Sequence, residues 1–168
     1  MMESYKKFVG VANTFAKWIC IVSLSVMTVM IILQVIFRYV VQSSLSFSEE
    51  VARYMFIWSV FVGSALALKA RSHVSIEIVV ANLPRLPKRM AIVVSNLLSF
   101  IFYLLLFVFG IGMTLFTIDQ TSPTMSWLSM SLVYLAVPVS AFILMANLAM
   151  NAYEEFMNPD IIKSEGAE

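Results

Sequence analysis

Five charged side chains bracket one apolar run in this sequence of 168 residues, and they are the groups with the most chemistry to offer. Arg38, Glu49, Glu50 and Arg53 lie within sixteen residues at its start, and Lys69 stands at its end. A charged side chain at mid-bilayer costs about 2.5–3.5 kcal/mol on insertion scales, so charges beside membrane-length apolar runs need partners or water. Two acids and two bases this close together read as one paired cluster. Its chemistry has three readings: a clamp between successive helices, a docking surface for a partner, or a relay for protons or ions. Which acid pairs with which base is not readable from spacing.

The remaining reactive side chains are few. Cys20 is the lone cysteine, which excludes a disulfide or a CxxC pair within the chain, and it sits in an apolar run as a small filler. His73 is the lone histidine and follows Lys69 and Arg71, where it reads as a capping or interfacial group. A second histidine for bis-His haem ligation is absent. The polar residues within the apolar runs are uncharged: Ser23, Ser25, Thr28, Ser59, Ser64, Ser95, Asn96, Ser99, Ser140 and Asn147. Such groups commonly bond between helices. Pumps and carriers place ionisable residues at mid-membrane or break helices there, and this sequence does neither. The expectation is a protein with no catalytic residue, no metal site and no cofactor.

The elements that hold these residues are legible from hydropathy. The chain is 61% hydrophobic and 12% charged, against about 25% charged for a soluble domain. The fold class expected is an all-α membrane protein with four transmembrane helices, as a single membrane domain over residues 1–168. Trp18 to Phe37 is charge-free for twenty residues, enough at about 1.5 Å per residue to cross a hydrocarbon core of about 30 Å. It is too long for a signal-peptide core and reads as a retained helix. Ser46 and Glu49 fit a capping box opening the second helix, with Glu49 and Arg53 four apart on one face. Trp58 and Gly63 suit a knob and a point of close approach on that helix.

Between the second and third helices, Ile76, Val79, Val80 and Leu83 recur at helical spacing, which predicts a short amphipathic helix on the membrane surface. Pro84 and Pro87 end it, and Lys88 and Arg89 anchor the next span. Met90 to Ile118 is charge-free for twenty-nine residues, so that helix must tilt or project. Trp127 suits an interfacial anchor, and Pro138 predicts a kink in the fourth helix. The expected boundaries are about 15–41, 48–70, 89–118 and 129–153, with the surface helix at about 73–83 and a tail at 154–168.

Orientation follows from basic residues. With the N-terminus inside, nine Lys and Arg fall on the cytoplasmic side and two, Arg38 and Arg53, outside. Both termini are therefore expected in the cytoplasm, with the amphipathic helix at the inner face and the Glu49 cluster at the outer one. The net charge of +1 gives no reason to expect nucleic acid.

Several residues carry a family likeness. Gln34, Arg38-Tyr39, Leu45, Ser48-Glu49-Glu50 and Ala52-Arg53, continued by Phe56, Trp58, Gly63 and His73, resemble the small membrane subunit of tripartite ATP-independent periplasmic (TRAP) transporters, the DctQ-like family. Ser122-Pro123, Tyr134 and Pro138 extend the likeness, and Phe47 stands where the family often has Trp. The resemblance implies a subunit of the bacterial inner membrane, paired with a large membrane subunit that holds the substrate and sodium sites. A periplasmic substrate-binding protein would deliver an organic acid, such as a C4-dicarboxylate, a keto acid or a sialic acid. This chain would act as a scaffold that also helps dock the binding protein, with Arg38, Glu49, Glu50, Arg53, Trp58, Gly63 and His73 as structural or docking residues. The other class open to a chain of this size is the membrane anchor of a redox enzyme complex, which needs haem histidines or a quinone pocket. A small multidrug exporter would need a membrane-embedded carboxylate, and the candidates here lie at span ends.

Overall fold

A computed structural model describes residues 2–43, 45–69 and 85–157 of the chain. Helix α1 (Met2–Ile36) is followed by a π-helical turn, Phe37–Val41, then α2 (Ser46–Lys69), α3 (Arg85–Phe116), the one-turn α4 (Ser131–Tyr134) and α5 (Ala136–Met157). Four stretches are long and apolar enough to cross a membrane: Tyr5–Val41, Ser46–Lys69, Val93–Phe116 and Ser131–Tyr153. This is the four-span, all-helical membrane architecture that the hydropathy requires. The surface helix expected at 73–83, with His73, Ile76, Val79, Val80 and Leu83, lies outside the described residues, as does the tail beyond 157.

Helix α1 starts well before the position marked by hydropathy. Residues 2–14 carry Lys6, Lys7 and Asn13, which lower their mean hydropathy, yet they continue the helix. The reason is tertiary: Val9, Asn13 and Ala16 are buried at spacings of four and three, on the side of α1 that packs on α2 and α5. One helical face is packed, and the polar residues around it do not matter to that contact.

The π-helical turn ends α1 at Gln42, whose φ of 57° is left-handed and whose N–H donates to Phe37 O. Ser46, the expected cap of α2, lies inside the helix. The hydroxyl that bonds at this end belongs to Ser48, which is buried and donates to Leu45 O at 2.7 Å. At the other end of the chain, Pro138 interrupts the helical ladder. Proline has no N–H to give to the carbonyl four residues back, and the helix breaks at Leu135, separating α4 from α5. Helix α3 opens at Arg85, with Pro87 in its first turn, where a missing N–H is harmless. Lys88 and Arg89 fall in the same turn, but their side chains lie outside the described residues. At 32 residues, α3 is about 48 Å long, so it exceeds the hydrocarbon thickness as expected.

The bundle is assembled around α2 and α5. Helix α1 packs on α2 and, near its N-terminus, on α5; α3 packs on α5 and α4. The seam shared by α1, α2 and α5 buries Ala16, Val62, Ala65, Leu68, Ile143, Leu144 and Leu148. Alanines at the seam let helix backbones approach closely, which is how helices associate where lipid removes the hydrophobic drive. Phe142 on α5 meets Phe8 of α1 edge-on at 6.4 Å and Phe107 of α3 at 6.3 Å. The outward faces of α1 and α3 are almost continuously apolar, from Val22 to Val41 and from Val93 to Ile118.

Candidate functional site at the two rims

The strongest polar constellation lies at the rim that carries the α1–α2 turn. Glu50 is a buried carboxylate, and its partners are not the basic residues expected from spacing. It accepts the hydroxyl of Tyr54, one turn further along α2, and the hydroxyl of Thr124. The backbone N–H of Thr124 also donates to it, at 3.1 Å. The Tyr54 oxygen lies 3.2 Å from Ser122 Oγ and 3.3 Å from Met130 Sδ. The carboxylate thereby holds the loop between α3 and α4 onto the start of α2. That loop is itself shaped by a short antiparallel bridge, Thr121 to Ser129, with Ser122 N–H donating to Leu128 O and Met130 N–H to Gln120 O. Tyr54, Met125 and Val133 close an apolar cluster beneath it.

The four-residue cluster therefore divides into three. Glu49 and Arg53 pair at 3.1 Å on the exposed face of α2, one of the pairings their spacing allows. Both side chains are more than 60% exposed, and an exposed pair of this kind contributes about 0.3–0.5 kcal/mol. Arg38 is exposed, and among the described residues it pairs with no carboxylate. A clamp from Arg38 to Glu49 or Glu50 is not formed: the α1 end unwinds into the π-helical turn, and Glu50 faces the α3–α4 loop instead. Arg38→Ala is accordingly expected to leave folding unchanged. Glu50→Ala should free the 120–130 loop, seen as faster hydrogen exchange there with little change in α1. Equal exchange in both variants would refute this division of roles.

Trp58 and Gly63 sit where α2 meets its neighbours. Trp58 Nε1 donates to Leu132 O at 3.2 Å, which ties α2 to α4 rather than merely filling space. Gly63 faces Cys20: a Cβ there would lie 3.7 Å from the Cys20 sulfur, ordinary contact. Cys20 is a free thiol, with its sulfur 3.8 Å from Ser59 O.

A second polar constellation lies towards the opposite rim, and sequence reasoning did not single it out. Asn147 on α5 donates to Ala65 O of α2 at 2.9 Å and to Asn13 Oδ1 of α1 at 3.0 Å. Asn13 Nδ2 returns a bond to Asn147 Oδ1 at 2.7 Å and donates to Val9 O at 2.7 Å. Asn151 donates to Leu68 O, and Tyr5 to Ala146 O, each at 2.9 Å. Three spans are thus tied side by side by two amides. The other mid-span hydroxyls mostly turn back on their own helix: Thr28 to Leu24, Ser59 to Phe56, Ser64 to Phe61 and Ser140 to Val137. Among the described residues, no buried side-chain nitrogen or oxygen lacks a partner. Asn147 is visible in the sequence as a mid-span amide, but Asn13 lies ahead of the expected start of the first helix at about 15, and only its i+4 relation to Val9 on a buried face marks it.

These features define a four-span helical membrane protein whose polar anchors hold its own helices together. The model of the DctQ component of tripartite ATP-independent periplasmic transporters matches residues 27–158. The chain belongs to that family of transporter components. Two Haemophilus influenzae chains named as TRAP transporter small permease proteins are similar to it. One is 38% identical over 84 residues, half of this chain and half the length of that relative. The other is 26% identical over 125 residues, 74% of this chain and 75% of that relative.

Proposed function

We propose that the chain is the small, non-conducting membrane subunit of a sodium-coupled tripartite importer of an organic acid, and that it acts as a scaffold for the large transport subunit. The observation that carries this reading is where the polar groups are used. The buried asparagines bond to one another and to a backbone carbonyl across helices, and the runs 18–37, 54–68, 90–118 and 131–153 hold no acidic or basic side chain. Among the described residues, a permeant solute would find no acidic or basic side chain in those runs and no buried side-chain nitrogen or oxygen without a partner. The apolar outer faces of α1 and α3 offer a broad area for a membrane partner. Family membership favours transport over the redox-anchor alternative.

The basic-residue count favours both termini on the cytoplasmic side, and the family favours a bacterial inner membrane. The Glu50 rim then faces the periplasm, where the exposed Glu49–Arg53 pair and Arg38 stand available to a substrate-binding protein. Sodium coupling belongs to the large subunit in this reading. Deleting the gene should abolish sodium-dependent uptake in cells, while the purified chain alone in liposomes should show none. Solute flux through this chain by itself would overturn the proposal.

A further inference from the structure

A groove on the α1–α2 face, near the N-terminal rim, has the layout of a phospholipid site. It measures about 540 Å³ and is lined by Lys7, Gly10, Val11, Thr14 and Trp18 of α1 and by Lys69 at the end of α2. Lys7, Val11, Thr14 and Trp18 follow at intervals of four, three and four, so they form one stripe along α1. At about 1.5 Å per residue the stripe runs about 16 Å, cationic at one end and apolar at the other. A smaller cleft of about 170 Å³ adjoins it, shares Gly10 and Lys69, and adds Lys6 and Asn151 to the polar end. Gly10 lines the groove, and a Cβ there would enter open space, with nothing within 4 Å. Trp18 and Val11 are 62% and 69% exposed.

From this juxtaposition we infer that the groove binds an anionic phospholipid, with its headgroup phosphate between Lys7 and Lys69 and an acyl chain along Val11 and Trp18. The charge is complementary, and the order in depth is that of a lipid: ammonium groups at headgroup level, then an interfacial indole, then hydrocarbon. Lysines on two different helices converge on one mouth, and that convergence distinguishes the groove from an ordinary lipid-facing surface. With the N-terminus inside, the site opens to the cytoplasmic leaflet, whose anionic lipids attract basic residues near the membrane surface. The bound lipid would join α1 to α2 at the rim opposite Glu50.

The test uses the full chain in detergent micelles, titrated with brominated phosphatidylglycerol or brominated phosphatidylcholine. Tryptophan fluorescence is the readout, with Trp18→Phe assigning the signal against Trp58 and Trp127. Phosphatidylglycerol should quench Trp18 saturably at lower mole fraction than phosphatidylcholine. The preference should weaken about thirtyfold in Lys7→Gln/Lys69→Gln, stay unchanged in Lys17→Gln, and vanish in Gly10→Leu, which fills the groove. Equal quenching by the two lipids, or a preference indifferent to Lys7 and Lys69, would overturn the inference. So would protection of Trp18 from both lipids when a large membrane subunit is bound, because that outcome makes protein the occupant.

Discussion

Asn147→Leu should destabilise the bundle by about 2–4 kcal/mol, a larger loss than any substitution at the charged turn. Asn147 is among the most buried polar side chains described, at 1% exposure. It bonds to α1 through Asn13 and to α2 through Ala65. Interhelical hydrogen bonds in membranes average about 0.6 kcal/mol each. The larger part of the loss comes from Asn13, whose amide would be left in an apolar seam with only Val9 O as partner, at a cost of about 1–3 kcal/mol. The double variant Asn13→Leu/Asn147→Leu should therefore recover part of the stability, because no polar group is then stranded. Thermal or SDS unfolding of the purified chain in detergent measures both. A single variant that unfolds with the wild type would show that the amide pair is dispensable.

Gly110→Val should detach α3. A Cβ at Gly110 would lie 2.9 Å from Pro138 Cδ, 3.1 Å from Pro138 N and 3.1 Å from Val137 Cγ1. A proline ring and a backbone nitrogen cannot turn aside as a flexible side chain can, so the helices must part. Overpacking of this kind costs about 1–3 kcal/mol, and a β-branched side chain belongs at the upper end. The consequence is local because α3 has little other packing within the bundle: its contacts are with α5 and α4. Hydrogen exchange should rise along α3, while α1 and α2 keep their protection. Gly110→Ala with Pro138→Ala should recover part of the contact by removing the ring carbon, though the backbone nitrogen stays close. Uniform exchange across all four spans in Gly110→Val would contradict this picture of an arm held at one crossing.

Together these expectations place stability in contacts that link non-consecutive helices. The Glu50 knot joins α2 to the α3–α4 loop, 74 residues away at Thr124. The asparagine pair joins residues 134 apart. The i,i+4 pair Glu49–Arg53 is exposed and contributes little by comparison.

Hydropathy and spacing by themselves determined the membrane class and the four spans, allowed a Glu49–Arg53 pair, and marked Pro138 as an irregular point in the fourth span. Each follows from the local chain: the length of an apolar run, one helical turn, or a missing N–H. The family likeness was also carried by a local run, from Gln34 to Arg53. The partners of Glu50, the burial of Asn13 and the start of α1 at Met2 were settled only by tertiary structure. Glu50, three residues from an arginine, looks like an ion-pair partner until the fold brings two hydroxyls and an amide to it. An asparagine among lysines, ahead of the long apolar run, looks solvated until another helix presents a matching amide. Sequence reports which groups need partners; which partner arrives depends on helices far apart in the chain meeting side by side, and that is decided by packing.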